Sequence, residues 1–258
     1  MRPKEEYLSH VHRLEDELFL RRLLDQIDQA LRQKRIEVTD FLNPHQVDLG
    51  RALMGQFMDL NYRLESGASW SERKVFSLAP DFLSLEDFQA LCLLEGAWDG
   101  KFNHKDVLGA CLGLGLSRKK LGDIFFQDEK FYLVAKEEVA AFILLELKAV
   151  GRKKVHLREV DSRTLERQEP DYREQTMTIS SNRLDGVIAE AYHLSRAKAS
   201  ELIKRDLVKV NFCVEEKGSL LLKEGDLISV RRKGRFIYDG SIGETKKGRL
   251  RVRLRFLV

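Results

Sequence analysis

The stretch Arg183-Leu-Asp-Gly-Val-Ile-Ala-Glu-Ala-Tyr-His-Leu-Ser-Arg-Ala-Lys-Ala-Ser-Glu-Leu-Ile-Lys-Arg-Asp-Leu-Val-Lys-Val-Asn211 decides how this chain is read. Leu184, Val187, Ile188 and Ala191 fall at i, i+3, i+4 and i+7, the spacing of a short helix with one buried face. Asn182, with Asp185 three positions on, reads as its capping pair. Ser195 is a good N-cap for a second helix, in which Ala199, Leu202 and Ile203 form the apolar side and Lys204 and Arg205 flank it. Arg196 and Lys198 then occupy the first turn, where a cation opposes the helix dipole. Unpaired amides and an arginine at one place attract phosphate, so Arg196 points to an external anion. Beyond the helix, Val208–Asn211, Leu220–Leu222 and Leu227–Val230 read as short strands, with Glu224-Gly225-Asp226 as a turn.

Charge gathers around and after this stretch. The 258 residues hold 45 Lys plus Arg against 41 Asp plus Glu, a net charge of +4. From Met177 onward there are 18 basic and 10 acidic residues, which leaves the rest of the chain net negative. From Arg231 to the end ten cations face two anions, and such asymmetry implies a polyanionic partner. Arg249-Leu-Arg-Val-Arg-Leu-Arg-Phe256 alternates strictly, so an extended strand turns its four guanidinium groups one way and its apolar residues the other. Arginines two apart on one face lie about 6.6 Å apart along the strand and repel unless anions sit between them. A phosphate backbone can supply those anions, and the guanidinium fork suits it. The alternative is an exposed strand with a solvated face. Phe212, Phe236 and Tyr238 are aromatic candidates for base stacking, although an aromatic in a small sheet is more often core.

Toward the other end, apolar residues from Tyr7 to Leu31 recur every three or four positions and predict an amphipathic helix. Asn43 before Pro44 makes a turn, and a second helical stretch is expected from His45 to Glu65, followed by the break Ser66-Gly67-Ala68-Ser69. Between Asp81 and Asp161 the expected order is strand (Phe88–Glu95), helix (His104–Leu114), strand (Asp123–Gln127), strand (Lys130–Lys136), helix (Glu137–Val150) and strand (Val155–Val160). That βαββαβ order is the ferredoxin-like arrangement shared by many RNA-recognition modules. The expected class is therefore α+β. It comprises a helical unit at 1–80, an RRM-like middle domain at 81–162, a polar linker at 163–175 and a basic module at 176–258.

The basic module resembles the RNA-binding domain first described in small-subunit ribosomal protein four, the S-four or alpha-L module. The similarity rests on Arg183-Leu184-Asp185, Ser195-Arg196, Ala199, Leu202-Ile203, Val208–Asn211 and Gly225-Asp226. Asp206 and Phe212 depart from it, standing where that family often has glycine. By position the resemblance implies RNA contacts at Arg183, Ser195, Arg196, Lys198, Lys204, Arg205, Lys209 and Asn211. To these the basic end adds Arg231, Arg232, Arg235, Lys246, Lys247, Arg249, Arg251, Arg253 and Arg255. Lys101, Lys105, Arg118, Lys119 and Lys120 form a possible extension in the middle domain.

The wider chain is similar to the bacterial YlmH family. The similarity is carried by Phe41-Leu-Asn-Pro44, Ser71-Glu72-Arg73 with Pro80, His104-Lys-Asp-Val-Leu-Gly-Ala-Cys-Leu-Gly-Leu-Gly-Leu116, Gly122-Asp-Ile124, Val230–Phe236 and Gly243–Arg249. The resemblance implies a cytoplasmic, ribosome-associated factor. It would bind ribosomal RNA and transfer RNA on obstructed large subunits and assist ribosome-associated quality control by carboxyl-terminal tailing.

Other chemistry finds less support. A pseudouridine synthase segment reads approximately Arg-Leu-Asp-x-x-Thr-Ser-Gly, whereas Asp185 precedes Gly-Val-Ile-Ala, and Asp161-Ser-Arg-Thr164 lacks the remainder. Gly109, Gly113 and Gly115 do not follow a strand and open a helix, as a dinucleotide loop requires, so close packing is expected of them. The six histidines have no metal-ligand spacing, and Cys92, Cys111 and Cys213 form neither a disulfide framework nor a CxxC pair. The longest apolar run, Val139–Leu145, is far short of the roughly twenty residues of a spanning helix, and the start lacks an export signal. A non-enzymatic RNA-binding protein, monomeric when free, without metal or cofactor or membrane insertion, is expected. The rival classes are an RNA-modifying enzyme and a cell-division scaffold that docks through the first helix.

Overall fold

The computed structural model describes residues 3–161, 165, 172–246 and 248–257. The chain divides into two compact units, Met1–Arg167 and Gln168–Val258. The boundary expected after residue 80 falls inside the first unit. Lys247 and most of the expected linker lie outside the described residues.

The first unit opens with α1 (Lys4–Leu8) and α2 (Leu14–Gln33), so the expected single helix over Tyr7–Leu31 is two. Leu20, Leu23, Leu24, Ile27 and Ala30 carry the stripe of α2 into the core, and Lys34 ends the helix in a left-handed turn (φ 51°). A two-residue β1 (Glu37–Val38) precedes α3 (Pro44–Met54), which starts at a complete capping box between Asn43 and Gln46. The helix expected to reach Glu65 stops here. Residues 60–65 are instead β2 (Leu60–Glu65), paired with the wholly buried β3 (Val75–Pro80) in a sheet of order β1-β3-β2. Leu60, Tyr62 and Leu64 alternate, and the pairing rewards a period of two over continuation of the helix.

The βαββαβ order of the middle region is realised. It runs β4 (Leu91–Ala97), α4 (His104–Gly113), a 3-10 turn at Arg118–Lys120, β5 (Leu121–Gln127), β6 (Lys130–Lys136) and α5 (Glu137–Glu146). A small hairpin of β7 (Ala149–Val150) and β8 (Lys153–Lys154) then leads into β9 (Leu157–Val160). The predicted α5 overran into this hairpin, whose turn at Gly151 has φ +58°. All pairings are antiparallel and the order is β5-β6-β4-β9, the ferredoxin-like topology. Cys92, Leu94, Phe131, Leu133 and Ala135 pack one sheet face on Val107 and Cys111 of α4 and Ala140 and Ile143 of α5. The close packing expected of these glycines is not found: a Cβ on Gly109 or Gly113 of α4, or on Gly115 beyond it, would meet nothing within 4 Å.

The opposite sheet face, with Leu93, Tyr132 and Val134, is covered by Phe41, Ala68, Val75 and Ala90. Contact there is close. A Cβ on Gly67 would overlap Val134 Cγ2, and one on Gly122 would lie 2.8 Å from the Phe41 ring. Gly67→Ala is therefore expected to cost about 1–3 kcal/mol through overpacking. A urea midpoint equal to wild type would show that the seam gives way freely.

The second unit consists of β10 (Tyr172–Ile179), α6 (Leu184–Ala191), α7 (Arg196–Lys204), β11 (Val208–Val210), β12 (Cys213–Val214), β13 (Leu227–Val230), β14 (Gly234–Glu244) and β15 (Leu250–Leu257). Its antiparallel sheet has the order β10-β15-β14-β13-β11-β12. Strand β10 begins inside the stretch expected to be linker, because it is defined by its ladder with β15, Tyr172 opposite Leu257 through Ile179 opposite Leu250. Leu220–Leu222 is not a strand; it contributes a single bridge between Leu221 and Arg183. One face of the sheet, including Val208, Ile228, Phe236, Val252 and Leu254, buries the apolar sides of α6 and α7. Tyr192, Phe236 and Phe256 meet at ring distances of 5.4 to 6.0 Å. Phe236 and Tyr238 are thus core residues, closed to base stacking. Asp206 and Phe212 take φ values of 56° and 70°, left-handed backbone that glycine adopts without strain.

Candidate nucleic-acid interface

The two helices of the second unit meet at their starts around one carboxylate. Asp185, only 6% exposed, accepts Nη2 of Arg183 on Oδ2 (2.9 Å), Nε of Arg183 on Oδ1 (3.3 Å) and Nη2 of Arg196 on Oδ1 (3.0 Å). Burial alone would raise the Asp185 carboxyl, but the hydrogen bonds from Arg183 and Arg196 hold it below its ordinary value, as the ion. The expected cap is absent. Asn182 donates to Leu222 O (2.8 Å), and residue 183 stands at the N-cap with no side-chain bond. Ser195 does cap α7, accepting Lys198 N–H at 3.2 Å, so its hydroxyl oxygen belongs to the helix end. Further along α7, Glu201 bonds Lys198 (3.0 Å) and Arg205 (3.1 Å), and these partners lower its carboxyl, Lys198 most.

A second cluster forms at one end of the sheet. Arg231 N–H donates to Leu207 O (2.9 Å), and Val208 pairs with Val230. This ties the exit of α7 to the β13–β14 turn and gathers Lys204, Arg205, Arg231 and Arg232 there, all exposed. Among the described residues Lys204, Arg231 and Arg232 make no ion pair. Lys233, which sequence reasoning did not select, lies over the Tyr192 ring at 5.6 Å, and Arg235 lies over Phe212 at 5.8 Å. Lys209 is exposed on the open sheet face. Asn211 is a loop fastener: its amide donates to Asp226 Oδ1 (2.8 Å) and its carbonyl accepts Leu227 N–H (2.9 Å).

The arginine row of β15 divides. Val252, Leu254 and Phe256 face the core, so the arginines share the other face as alternation requires. Asp239 sits where β14 bulges between Tyr238 and Ser241, and from there its carboxylate accepts Arg253 Nε (2.7 Å) and Arg255 Nη2 (2.8 Å). An internal anion thus relieves the repulsion between these two, and Arg255 also lies over the Tyr172 ring at 5.0 Å. Arg249 is exposed with Nη2 on Thr178 O (2.9 Å), Arg251 is exposed without an ion pair among the described residues, and Lys246 is exposed at the hairpin tip. The sign and position of Asp239 are legible in the sequence, but its reach to two arginines depends on the bulge.

The extension proposed in the first unit mostly dissolves. Arg118 turns inward and donates to Leu121 O and to Gly122 O (3.2 Å), and burial lowers its pKa. Lys120 lies between Glu138 (2.7 Å) and Asp40 (3.3 Å); burial alone would lower its pKa, but these carboxylates raise it. Lys101 pairs with Asp99 at 3.5 Å, while Lys105 and Lys119 are exposed. The sheet face on which RNA-recognition modules stack bases is unavailable here, since Tyr132 is 4% exposed beneath Phe41 and Val75. Among the described residues no three His, Cys, Asp or Glu side chains could hold a metal ion.

Residues 84–164 match the family model described as "Putative RNA-binding domain in YlmH", and residues 15–83 match "YlmH, N-terminal". Over 238 residues the chain is 36% identical to ribosome-associated protein quality control protein P2 of Bacillus subtilis (strain 168), covering 88% of this chain and 92% of that protein. The solved structure titled cell division protein ylmH from Streptococcus pneumoniae superposes with a TM-score of 0.50 at 25% identity, covering 58% of this chain and 93% of that one. Both family models fall within the first unit, and the full-length relative extends the match over nearly the whole sequence: the chain belongs to the YlmH family.

Proposed function

We propose that this protein binds structured RNA through its second unit, using the S-four-like pair of helices and the cations beside them, and that it does so without catalysis. The observation that carries this reading is the pair of cationic groups on one small unit, Lys204, Arg205, Arg231 and Arg232 at the exit of α7 and Arg183 with Arg196 at the starts of α6 and α7. Of these, Lys204, Arg231 and Arg232 make no ion pair among the described residues, and cations held so on a rigid scaffold are suited to a phosphate backbone. Asp185, one of the two aspartates an RNA-modifying rival would use, is engaged by two arginines, a place in the fold that a binding role accounts for.

The name of the Bacillus subtilis relative supports a finer reading. That name speaks of ribosome association and protein quality control; the finer reading adds ribosomal and transfer RNA on a large ribosomal subunit, stalled translation in the cytoplasm and a monomeric free protein. No helix among the described residues is long and apolar enough to cross a membrane.

Titration of the full chain with bulk transfer RNA across a salt series tests the binding. If four to six phosphates are contacted, the logarithm of affinity falls against the logarithm of salt with a slope of about −3 to −5. A flat salt response would overturn phosphate recognition. A changed nucleoside in total RNA after incubation, lost on substituting Asp161 or Asp185, would overturn the non-catalytic reading.

A further inference from the structure

Asp185 is an unusual residue to find beneath a cationic surface, because removing it would raise the net positive charge facing RNA. Its surroundings are built. Asp185 N–H donates to Gly218 O (3.0 Å), and a Cβ on Gly218 would come within 3.2 Å of Asp185 Cβ, so the 218–222 segment lies directly against it. Leu184 N–H to Leu220 O (2.8 Å) and Leu222 N–H to Asn182 O (2.9 Å) lock the same segment to the start of α6. The carboxylate is thereby held in place before it meets either arginine.

The two arginines arrive from different helices and remain half in solvent, with side chains 38% and 53% exposed for Arg183 and Arg196. Two guanidinium groups on one carboxylate leave a surplus positive charge. Each guanidinium carries five N–H donors. Arg196 commits one nitrogen to Asp185, and Arg183 commits two. The remaining donors are oriented by the bonds that are made, which lowers the entropy lost when an oxygen-rich anion docks on them.

We propose that Asp185 is a positioning residue, which fixes Arg183 and Arg196 as a joint donor surface for one RNA phosphate group. This rests on the RNA-binding reading above and deepens it. Bulk electrostatics and positioning forecast opposite signs. Asp185→Asn makes the protein more positive, so a charge effect alone tightens binding, whereas loss of positioning weakens it.

The test is binding of bulk transfer RNA to the full chain at several salt concentrations. Asp185→Asn is expected to weaken binding about fivefold to tenfold and to make the salt slope shallower by about 1. Combined with Arg183→Gln and Arg196→Gln, it should add nothing further, a readout that loss of fold would not produce. Equal or tighter binding by Asp185→Asn overturns the proposal. If that variant does not fold, Arg196→Lys serves instead: it keeps the charge but loses the fork that reaches Asp185 and phosphate together. A severalfold loss is expected, and wild-type binding by Arg196→Lys overturns the positioning role. If Arg196→Gln binds as wild type, the RNA-binding reading of this surface fails first. If it weakens binding while Asp185→Asn does not, only the positioning fails.

Discussion

Replacing Lys204, Arg205, Arg231 and Arg232 together with glutamine lowers affinity for transfer RNA by about a hundredfold at physiological salt and makes the salt slope shallower by about 3 to 4. These side chains are exposed, and of the four Arg205 pairs with Glu201. Their cost in fold stability is therefore small and their loss is felt where counterions would have been released. The informative control is Arg253→Gln with Arg255→Gln, which removes two charges from the row that the sequence marks most strongly. Both already share Asp239 at 2.7 and 2.8 Å, so this pair is expected to change affinity by less than about threefold. Fluorescence anisotropy over a salt series measures both variants. A quadruple variant with an unchanged slope, or a double variant as defective as the quadruple, would move the interface away from the α7 exit and the β13–β14 turn.

The second large effect concerns stability. Phe236→Ala should destabilise the second unit by about 3–5 kcal/mol, the usual loss for a buried aromatic. Phe236, on β14 opposite Phe256 of β15, is fully buried and packs against Phe256 at 5.4 Å and Tyr192, at the end of α6, at 5.9 Å. Urea denaturation followed by the signal of this unit reads the change. A stacking platform would behave in the reverse way, losing RNA affinity with stability intact, and that outcome would mean that the ring leaves the core when RNA binds.

Elements were legible where a local pattern was unambiguous. The period of α6 and the Ser195 cap of α7 were read within a residue of their observed bounds, because burial of one face and satisfaction of the first amides are local demands. The ferredoxin-like order was legible for the same reason, and Lys130–Lys136 was placed at its observed bounds. Strand β2 reads as helix from its sequence, since its residues are tolerable in either state and only the partner strand β3 selects extension. Among the longer strands, β3, β10 and β14 have no counterpart in the sequence reading. Much of β10 is polar because a single face is buried, and the bulges in β14 interrupt its alternation.

The candidate site divides along the same line. Which residues are cationic, and on which face of a strand or helix they fall, follows from composition and periodicity alone. Which of them remain available to RNA does not. Arg253 and Arg255 are taken by Asp239 across a bulged hairpin, Arg183 and Arg196 are gathered by Asp185 where two helices approach, and Arg118 and Lys120 turn into the first unit. Composition and periodicity set the sign of the surface, the two helices and the open face of the last strand. The tertiary structure alone decided the free charge. An ion pair needs its two groups within about 4 Å, and register, bulges and helix packing set that distance between residues far apart in the chain.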